Sequence, residues 1–327
     1  MPKVSVITPI YKTEAFLDKS LSSLTSQTLT DIELIWVDNG ASDECRRLMN
    51  KYATDKVKIV RLPENAGYTG AMNAGLEAAT GDYVGFCDSD DWVDADYYEK
   101  LYMKAAEEQA DIVYCGYQCE YENAFKKVPL RTTSLKNCRG AIFEALPTGS
   151  VWNALFLRDF VRKAGISFGP SFKSVCRDNA FSIPACWLAQ KYALENTVFY
   201  HYRHRESSTV QGISKNKSVQ AAEEIITETF PKLPLKDLSD TEIRLFTNFL
   251  FRTLFAVARI KKFPKEAEPL CQTPYFKKVC GSYRLFSDPT FGQRIFSISY
   301  HPHKPFVKIR FLGLGVKFKL KNIRRSL

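Results

Sequence analysis

Residues 4–29 read VSVITPIYKTEAFLDKSLSSLTSQTL, and this stretch decides the class of fold that the chain can adopt. It begins with a short apolar run, Val4–Ile7, which is typical of a strand buried on both faces. Leu17, Leu21 and Leu24 then recur at the spacing of one helix face. A buried strand followed at once by an amphipathic helix is the repeating unit of a parallel α/β sheet.

The same alternation continues over the first 120 residues. Ser42 and Asp94 stand where helices are expected to begin, and each has a side chain that caps helices well. Helical patterns separate four further strand-like runs, at 34–37, 57–61, 83–87 and 112–117. The sequence therefore predicts an α/β fold, a Rossmann-like, mostly parallel sheet with helices on both faces.

Composition places the chain among ordinary globular proteins, with 45% hydrophobic and 25% charged residues in 327. Nine cysteines cannot all pair, and the close pair Cys115 and Cys119 has no histidine near it at zinc-ligand spacing. The opening residues MPKVSVITP lack a signal-peptide pattern. No run approaches the roughly 20 apolar residues that span a bilayer. These features predict a cytoplasmic protein with reduced thiols.

Charge divides the chain into two unequal parts. Residues 1–211 hold 24 basic and 27 acidic residues, a net charge of −3, whereas residues 212–327 hold 22 and 9, a net charge of +13. Two helices are expected over 214–265, the second opened by a capping box, Ser239-x-x-Glu242. The C-terminal part is thus a basic extension, and its excess charge predicts an anionic partner.

The last residues alternate apolar and basic side chains. Residues 307–311 and 316–320 do so on either side of Leu312-Gly313-Leu314-Gly315, which predicts a β-hairpin with one cationic face. Residues 304–327 contain eight basic residues and no acidic ones. One interpretation is peripheral attachment to the inner face of the cytoplasmic membrane; the other is a solvated edge hairpin packed on the helices. No nucleic-acid module accompanies the charge, so no nucleic acid is expected.

The segment FCDSDDW, residues 86–92, places three carboxylates within four residues directly after a strand-like run. In a doubly wound sheet, ligands bind where the loops after the strands converge. Such crowding is tolerable when a divalent cation neutralises it, as Mg²⁺ or Mn²⁺ does beside a substrate diphosphate. No G-x-G-x-x-G follows the first strand and no Walker motif is present, which weakens the dinucleotide and kinase-like readings.

The run from Lys3 to about Lys100 closely resembles family 2 glycosyltransferases, the large inverting family with a glycosyltransferase A-type fold. The matching pieces, in order, are VSVITPIYKTEAFLDKSLSSLTSQTL (4–29), DIELIWVDNGASD (31–43), ENAGYTGAMNAGLEAATGDYV (64–84) and FCDSDDWVDADY (86–97). A weaker resemblance continues to about residue 211 through VWN (151–153), RDNAF (177–181) and YHYR (200–203).

The resemblance implies a role for each matching position. Pro9, Tyr11 and Glu14 would line the nucleoside pocket, and Asp38 and Asn39 would face the base. Asp91 would either position the sugar or serve only the following turn. The full set implied for the nucleotide sugar is Thr8, Pro9, Tyr11, Glu14, Asp38, Asn39, Asn73, Asp88 and Asp91, with Asp90 and Asp88 holding Mn²⁺ or Mg²⁺.

Asp178 matches the position of the general base in the family. Such a base is needed because an acceptor hydroxyl is a poor nucleophile at neutral pH. In-line attack on the anomeric carbon, opposite the nucleoside diphosphate, would invert its configuration. The alternative is that Asp178 only caps the helix that runs into Phe181.

Four residues depart from the family pattern, and they bear on which nucleotide is bound and on whether Asp178 is the general base. Asn39 stands where a second Asp is usual, Met72 where Arg is usual, Lys12 where Asn is usual, and Arg177 where an acid is usual. The aromatic and basic segment 199–205, FYHYRHR, has two readings that remain open: a contact to sugar or diphosphate, or a buried strand with a basic exit.

The resemblance implies an inverting, metal-dependent glycosyltransferase that moves a sugar, expected from a UDP-sugar, to a glycan or lipid-linked acceptor in cell-surface polysaccharide or lipopolysaccharide synthesis. The alternatives are a catalytically silent module that binds nucleotide sugar or membrane, and a nucleotidyltransferase. The expected division is a catalytic domain at 1–211, with a nucleotide-sugar part (1–117) and an acceptor-side part (118–211), followed by the extension at 212–327.

Overall fold

The structure, a computed structural model, describes residues 1–131, 139–146, 149–169, 177–204, 224–235 and 238–250, together with three strands nearer the C-terminus. The helices are α1 (Glu14–Thr25), α2 (Asp43–Tyr52), α3 (Gly67–Ala78), α4 (Tyr97–Glu108), α5 (Ile142–Ala145), α6 (Arg158–Lys163), α7 (Asn179–Leu188), α8 (224–229) and α9 (Asp240–Leu250), with a 3₁₀ turn at Phe230–Lys232. The strands are β1 (Val4–Ile10), β2 (Ile32–Asp38), β3 (Val57–Arg61), β4 (Tyr83–Phe86), β5 (Trp92–Val93), β6 (Ile112–Glu120), β7 (Phe125–Val128), β8 (Ala154–Leu157), β9 (Tyr192–Arg203), β10 (Phe296–Tyr300), β11 (Phe306–Phe311) and β12 (Leu314–Lys319).

The main sheet has the strand order β3-β2-β1-β4-β8-β6-β9-β5, with β7 paired to β6. The four strands at the β3 end are parallel to one another, as the sequence predicts. Beyond β4 the sheet is mixed: β8 is antiparallel to both of its neighbours, β6 and β9 are parallel, and β5 and β7 are antiparallel additions. Short strands such as β8, ALFL, carry no signal of their direction, so the sequence shows the α/β class but not this mixture.

Two hydrophobic layers lie on the two faces of the sheet. Along β1 the side chains alternate, so that Val4 and Val6 belong to the layer that contains α1, α2 and α4, whereas Ile7 belongs to the layer that contains α3 and α7. The predicted apolar face of α1, Leu17, Leu21 and Leu24, is buried in the first layer. Helices therefore cover both faces of the sheet, as predicted.

Helices α8 and α9, from the C-terminal part of the chain, contribute to the hydrophobic layer that contains α3 and α7. Phe249 of α9 stacks on Phe143 with ring centroids 4.1 Å apart, and Phe246 lies 4.6 Å from Trp187. The predicted capping box is present, since the Glu242 amide donates to the Ser239 hydroxyl at 3.3 Å. The expected boundary near 211 lies outside the described residues, and the one at 117 falls inside β6.

The two predicted helix caps have different outcomes. Ser42 caps α2 as predicted, accepting from the Cys45 amide at 3.2 Å. The prediction for Asp94 is wrong, because α4 begins at Tyr97 and Asp94 instead accepts from the Phe199 amide at 2.9 Å. The pairing of β5 with β9 brings Phe199 to this position, and no local pattern indicates that pairing.

The predicted C-terminal hairpin is formed by β11 and β12, which pair antiparallel with Lys308 opposite Lys317. A third strand that the sequence analysis missed, β10, pairs antiparallel with β11. Within the described part of the chain, no helix is both long enough and apolar enough to cross a bilayer.

Candidate active site

Three loops meet at the carboxyl edge of the parallel strands. The Asn39 amide donates to the carbonyl of Ile10 at 3.1 Å, which ties the end of β2 to the end of β1. The Cys87 amide donates to the carbonyl of Ile7 at 3.0 Å, which does the same for β4. The loops after β1, β2 and β4 therefore start side by side, as expected for parallel strands.

Asp178 reaches this edge from the start of α7. Its Oδ1 accepts a hydrogen bond from the hydroxyl of Tyr68 at 3.0 Å, across 110 residues of sequence. Burial raises the pKa of Asp178 to about 6, against the opposing effects of hydrogen bonds from Tyr68 and the Val151 amide and of the nearby charge of Arg177. Asp178 makes no side-chain cap to its own helix. The capping alternative therefore does not describe this aspartate.

Asp88 is the carboxylate that shares the surroundings of Asp178. Burial, and then the charges of Asp91, Asp178 and Asp90, raise the pKa of Asp88 well above its usual range. A hydrogen bond with Tyr68 acts in the opposite direction. The arrangement concentrates negative charge that a cation would neutralise.

Both carboxylate oxygens of Asp91 accept hydrogen bonds from β9. The Tyr200 hydroxyl donates to its Oδ2 at 2.8 Å, and the Arg203 amide donates to its Oδ1 at 2.7 Å. Only 2% of Asp91 is exposed. Asp90, by contrast, is partly exposed, and its backbone carbonyl accepts from the Arg203 guanidinium at 2.8 Å. Of the three acids, Asp91 thus fastens the loop to β9.

Asp38 and Asn39, the two residues expected to face the base, already form hydrogen bonds with other groups of the protein. Asp38 Oδ2 accepts from Arg46 Nε at 2.8 Å, and its Oδ1 accepts from the Ala41 amide at 2.8 Å. Burial acts to raise the pKa of Asp38, but these bonds outweigh it and lower the pKa. The Asn39 amide group holds the start of α3, accepting from the Ala66 amide at 2.8 Å and donating to the Gly67 carbonyl at 3.1 Å.

Asn73 and Thr8 lie inside the molecule near this edge. Asn73 donates to the carbonyl of Phe168 at 2.6 Å and accepts from its amide at 2.9 Å, so it joins α3 to the segment after α6. Thr8 is fully buried, and its hydroxyl has no hydrogen-bond partner among the described residues.

Pro9, Tyr11 and Glu14 belong to the end of β1 and the loop that follows it. Tyr11 is 39% exposed, and hydrogen bonding with Lys12 and Asn65 lowers its pKa. Hydrogen bonding with Ser42 is the main cause that lowers the pKa of Glu14. Of these side chains, Tyr11 is exposed, and Pro9 and Glu14 are partly exposed.

The structure also shows where two of the residues that depart from the family pattern lie. Met72, at the position where arginine is usual, is fully buried in the layer around α3 and faces no solvent. Lys12 has a positive φ of 50°, and its ammonium lies 5.2 Å from the Tyr11 ring centroid. An arginine at position 72 could therefore reach a phosphate only if the packing around α3 were different.

The carboxylate pair fits a divalent cation that also takes ligands from a substrate. The described residues contain no group of three or more His, Cys, Asp or Glu side chains that could hold a metal ion by themselves. Mg²⁺ and Mn²⁺ commonly bind through one or two carboxylates and complete their coordination with phosphate oxygens. Asp88 and Asp90 offer such a pair, and because burial and the neighbouring carboxylates raise the pKa of Asp88, a cation bound there would favour its ionised form.

Two tyrosines lie at this edge: the sequence analysis assigned no role to Tyr68, and it noted Tyr200 only within the segment 199–205. Tyr68 follows Gly67, whose φ of 72° turns the chain into α3, and the motif ENAGYTG contains the only available sequence signal. Tyr200 is fully buried in β9. Neither hydroxyl could be assigned a partner from the sequence, because Tyr68 and Asp178 are distant in the chain.

Residues 199–203 of the aromatic and basic segment belong to β9, as the strand reading predicts, and the contact to sugar or diphosphate stays a prediction. His201 donates or accepts at both ring nitrogens, 2.9 Å from Asp94 Oδ1 and 2.6 Å from Glu120 Oε1. These bonds raise the pKa of His201 despite burial, which acts to lower it. His201 also stacks on Trp92 with centroids 5.1 Å apart.

Comparisons with known proteins place this geometry in a family. Residues 5–165 match the family model described as Glycosyl transferase family 2. The glycosyltransferase EpsH of Bacillus subtilis is 32% identical over 223 residues, which are 65% of this chain and 64% of that protein. The poly(ribitol-phosphate) beta-glucosyltransferase of Bacillus spizizenii is 26% identical over 263 residues, 76% of this chain and 40% of that protein. The matched regions thus span less than two thirds of these relatives.

A solved structure shares the fold over nearly the whole chain. TarS 1-349 of S. aureus, crystallised in complex with UDP-GlcNAc, superposes with a TM-score of 0.67 at 20% identity and covers 97% of this chain and 99% of its own. This likeness confirms the glycosyltransferase A-type fold. Residues 5–165 thus form a glycosyl transferase family 2 domain.

Proposed function

We propose that the protein is an inverting, metal-dependent glycosyltransferase that moves a sugar from a UDP-sugar to a hydroxyl group of a glycan or lipid-linked acceptor. The observation that carries this proposal is the position of Asp178. Its carboxylate is turned away from its own helix, is held by Tyr68 at 3.0 Å, and shares its surroundings with Asp88. A helix cap or a surface carboxylate would need none of these features.

Asp178 is suited to act as the general base. With a pKa of about 6, its carboxylate is mostly ionised at neutral pH and still basic enough to take a proton from the acceptor hydroxyl in the transition state. The deprotonating hydroxyl then attacks the anomeric carbon from the side opposite the leaving diphosphate, which inverts the configuration. The proton passes to the carboxylate, and the bond between the sugar and the diphosphate breaks.

Asp88 and Asp90 are the residues that would hold the metal, Mn²⁺ or Mg²⁺. A bound divalent cation would supply positive charge to the departing diphosphate. Asp91 takes no part in this assignment, because both of its oxygens already accept hydrogen bonds from β9.

The donor and the acceptor are proposed from the relatives. The crystal of TarS with UDP-GlcNAc supports a UDP-sugar donor. The relative that glucosylates poly(ribitol-phosphate) supports an acceptor in a cell-surface polymer, and lipopolysaccharide synthesis is the related setting that the resemblance implies. Thr8, Pro9, Tyr11 and Glu14 remain the residues proposed to line the nucleotide pocket. Asp38 and Asn39 would act there through the loop that they hold in place.

We also propose that residues 304–327, the basic tail, attach the enzyme to the inner face of the cytoplasmic membrane. The backbone register supports this, because strict alternation puts the basic positions of β11 and β12 on one face of the small sheet. Lipid-linked acceptors are held at that surface. The catalytic domain at 1–211 and the extension at 212–327 would then divide chemistry from attachment.

The experiment incubates the full chain with a panel of nucleotide sugars, with and without Mn²⁺, and measures both transfer and slow donor hydrolysis. Turnover is expected with a UDP-sugar in the presence of the metal. Asp178→Asn is expected to lower turnover about 10²- to 10⁴-fold while UDP still binds. Asp159→Asn, which changes an exposed aspartate of α6, is the matched control and should leave turnover unchanged.

Two outcomes would overturn the proposal. Nucleotide binding without hydrolysis or transfer, together with an Asp178→Asn variant that behaves like the wild type, would favour the silent binding module. Release of pyrophosphate from a nucleoside triphosphate would instead favour a nucleotidyltransferase.

A further inference from the structure

The Tyr68 side chain crosses the site between the two halves of the catalytic domain. It lies in the first turn of α3, directly after Gly67 with its φ of 72°. Its ring packs edge-on against Phe168, with centroids 6.1 Å apart. Its hydroxyl donates to Asp178 Oδ1 at 3.0 Å. One side chain from the nucleotide-binding half therefore holds a carboxylate of the acceptor side.

Asp178 depends on such partners for its orientation. An aspartate at a helix N-terminus usually turns its side chain back to accept from the first backbone amides. Asp178 has helical backbone angles, φ −57° and ψ −33°, and makes no such bond. Its carboxylate is instead held by the Tyr68 hydroxyl and the Val151 amide, both from outside α7.

The same tyrosine also relates Asp178 to Asp88. Burial of Tyr68, and then the charges of Asp178 and Asp88, raise the pKa of its hydroxyl well above the usual range, so both carboxylates lie near it. A neutral tyrosine has a single hydroxyl proton, and here it is donated to Asp178. The Tyr68 hydroxyl is thus bonded to the proposed base and close to a proposed metal ligand.

We propose that Tyr68 is the positioning residue for this reaction, holding the Asp178 carboxylate clear of α7 and at a fixed place relative to Asp88. The inference rests on the proposed function of Asp178 as the base. Tyr68 acts through Asp178 and takes no proton itself. A base must lie within hydrogen-bond reach of the proton that it abstracts, and small displacements of catalytic groups are costly.

Tyr68→Phe tests the inference with the full chain, UDP-sugar and Mn²⁺. The variant keeps the ring that packs on Phe168 and removes only the hydroxyl. We expect kcat to fall about 10- to 100-fold, the range for a lost hydrogen bond to a charged group, with the KM for the donor unchanged. Tyr83→Phe is the matched control, since its hydroxyl is bonded to the Ala110 carbonyl at 3.1 Å, at the opposite end of β4.

A double-mutant cycle distinguishes positioning from a general structural role. If Tyr68 acts through Asp178, then Tyr68→Phe should cost almost nothing further when Asp178 is already Asn. Additive losses in the double variant, or equal kcat values for Tyr68→Phe and Tyr83→Phe, would overturn the inference. A wild type that shows no turnover would instead overturn the proposed function, so the two failures are distinguishable.

A comparison of melting temperatures controls for a loss of stability in Tyr68→Phe. Melting temperatures with saturating UDP compare Tyr68→Phe with Tyr83→Phe, because a ligand that binds only the folded state stabilises both variants equally. Turnover is then measured below both melting temperatures. A kcat of Tyr68→Phe that returns to the wild-type value under these conditions would show a folding effect and contradict the positioning role.

Discussion

At the scale of single residues, neighbouring aspartates with the same chemistry have different roles because their partners differ. Asp91 receives two hydrogen bonds from β9 and is 2% exposed, whereas Asp90 is partly exposed and next to it. Asp88 faces Tyr68 and Asp178. The sequence shows three acids within four residues after β4, but it does not show which of them has its oxygens already occupied.

The pH dependence of turnover follows from Asp178. Its pKa is raised to about 6, and a base must be ionised, so log kcat should fall with unit slope below about pH 6 and level off above it. Arg177 favours the carboxylate, so Arg177→Met should raise the pKa and move the acid limb to higher pH. The measurement is the pH profile of kcat, with Arg162→Met on α6 as control. An acid limb that stays in place in Arg177→Met would contradict this assignment.

At the scale of elements, α3 links the parallel strands that it covers to Asp178 and to the segment at Phe168. Three of its residues point to different tasks: Tyr68 holds Asp178, Met72 fills the core, and Asn73 clips the segment at Phe168. Tyr68 and Met72 are four positions apart and lie on one side of the helix, whereas Asn73, one position after Met72, projects in another direction. The helix therefore fastens Asp178 and Phe168 to the parallel part of the sheet.

Asn73→Ala should destabilise the fold by about 1–3 kcal/mol, because it leaves the amide and the carbonyl of Phe168 without their partner. Urea unfolding measures this loss. Asn50→Ala, on the exposed face of α2, is the control and should change stability little. If Asn73 contacts the sugar instead, the variant would keep its stability and lose donor affinity.

At the scale of the whole molecule, the residues of the hydrophobic core and the excess of basic residues are distributed differently along the chain. The core is shared from β1 to α9, whereas the basic excess lies entirely after residue 211. In the three-stranded sheet, Lys308 is opposite Lys317, and Arg310 and Lys319 fall on the same face by alternation. The polar edge that carries Asp178 and the cationic face are thus built from different parts of the chain.

Reversing the charge at the four basic positions tests the membrane proposal. The full chain is expected to sediment with vesicles that contain phosphatidylglycerol and to be released by salt, since each basic residue near such a surface contributes about 1 kcal/mol. The variant with Glu at Lys308, Arg310, Lys317 and Lys319 should remain in the supernatant, as should a chain without residues 304–327. The control, Arg162→Glu with Lys163→Glu, reverses exposed charges elsewhere and should bind as the wild type does. Unchanged sedimentation of the four-residue variant would contradict the proposal.

The sequence by itself determined the α/β class, the convergence of the loops after β1, β2 and β4, and the C-terminal hairpin. These features follow from short-range patterns: buried runs, helical spacing and alternation along a strand. Only the tertiary structure decided that β8 runs antiparallel, that Asp94 binds β9 instead of capping α4, and that Tyr68 holds Asp178. Each of these depends on groups far apart in the chain, whose meeting is set by packing and by the need to satisfy buried polar atoms.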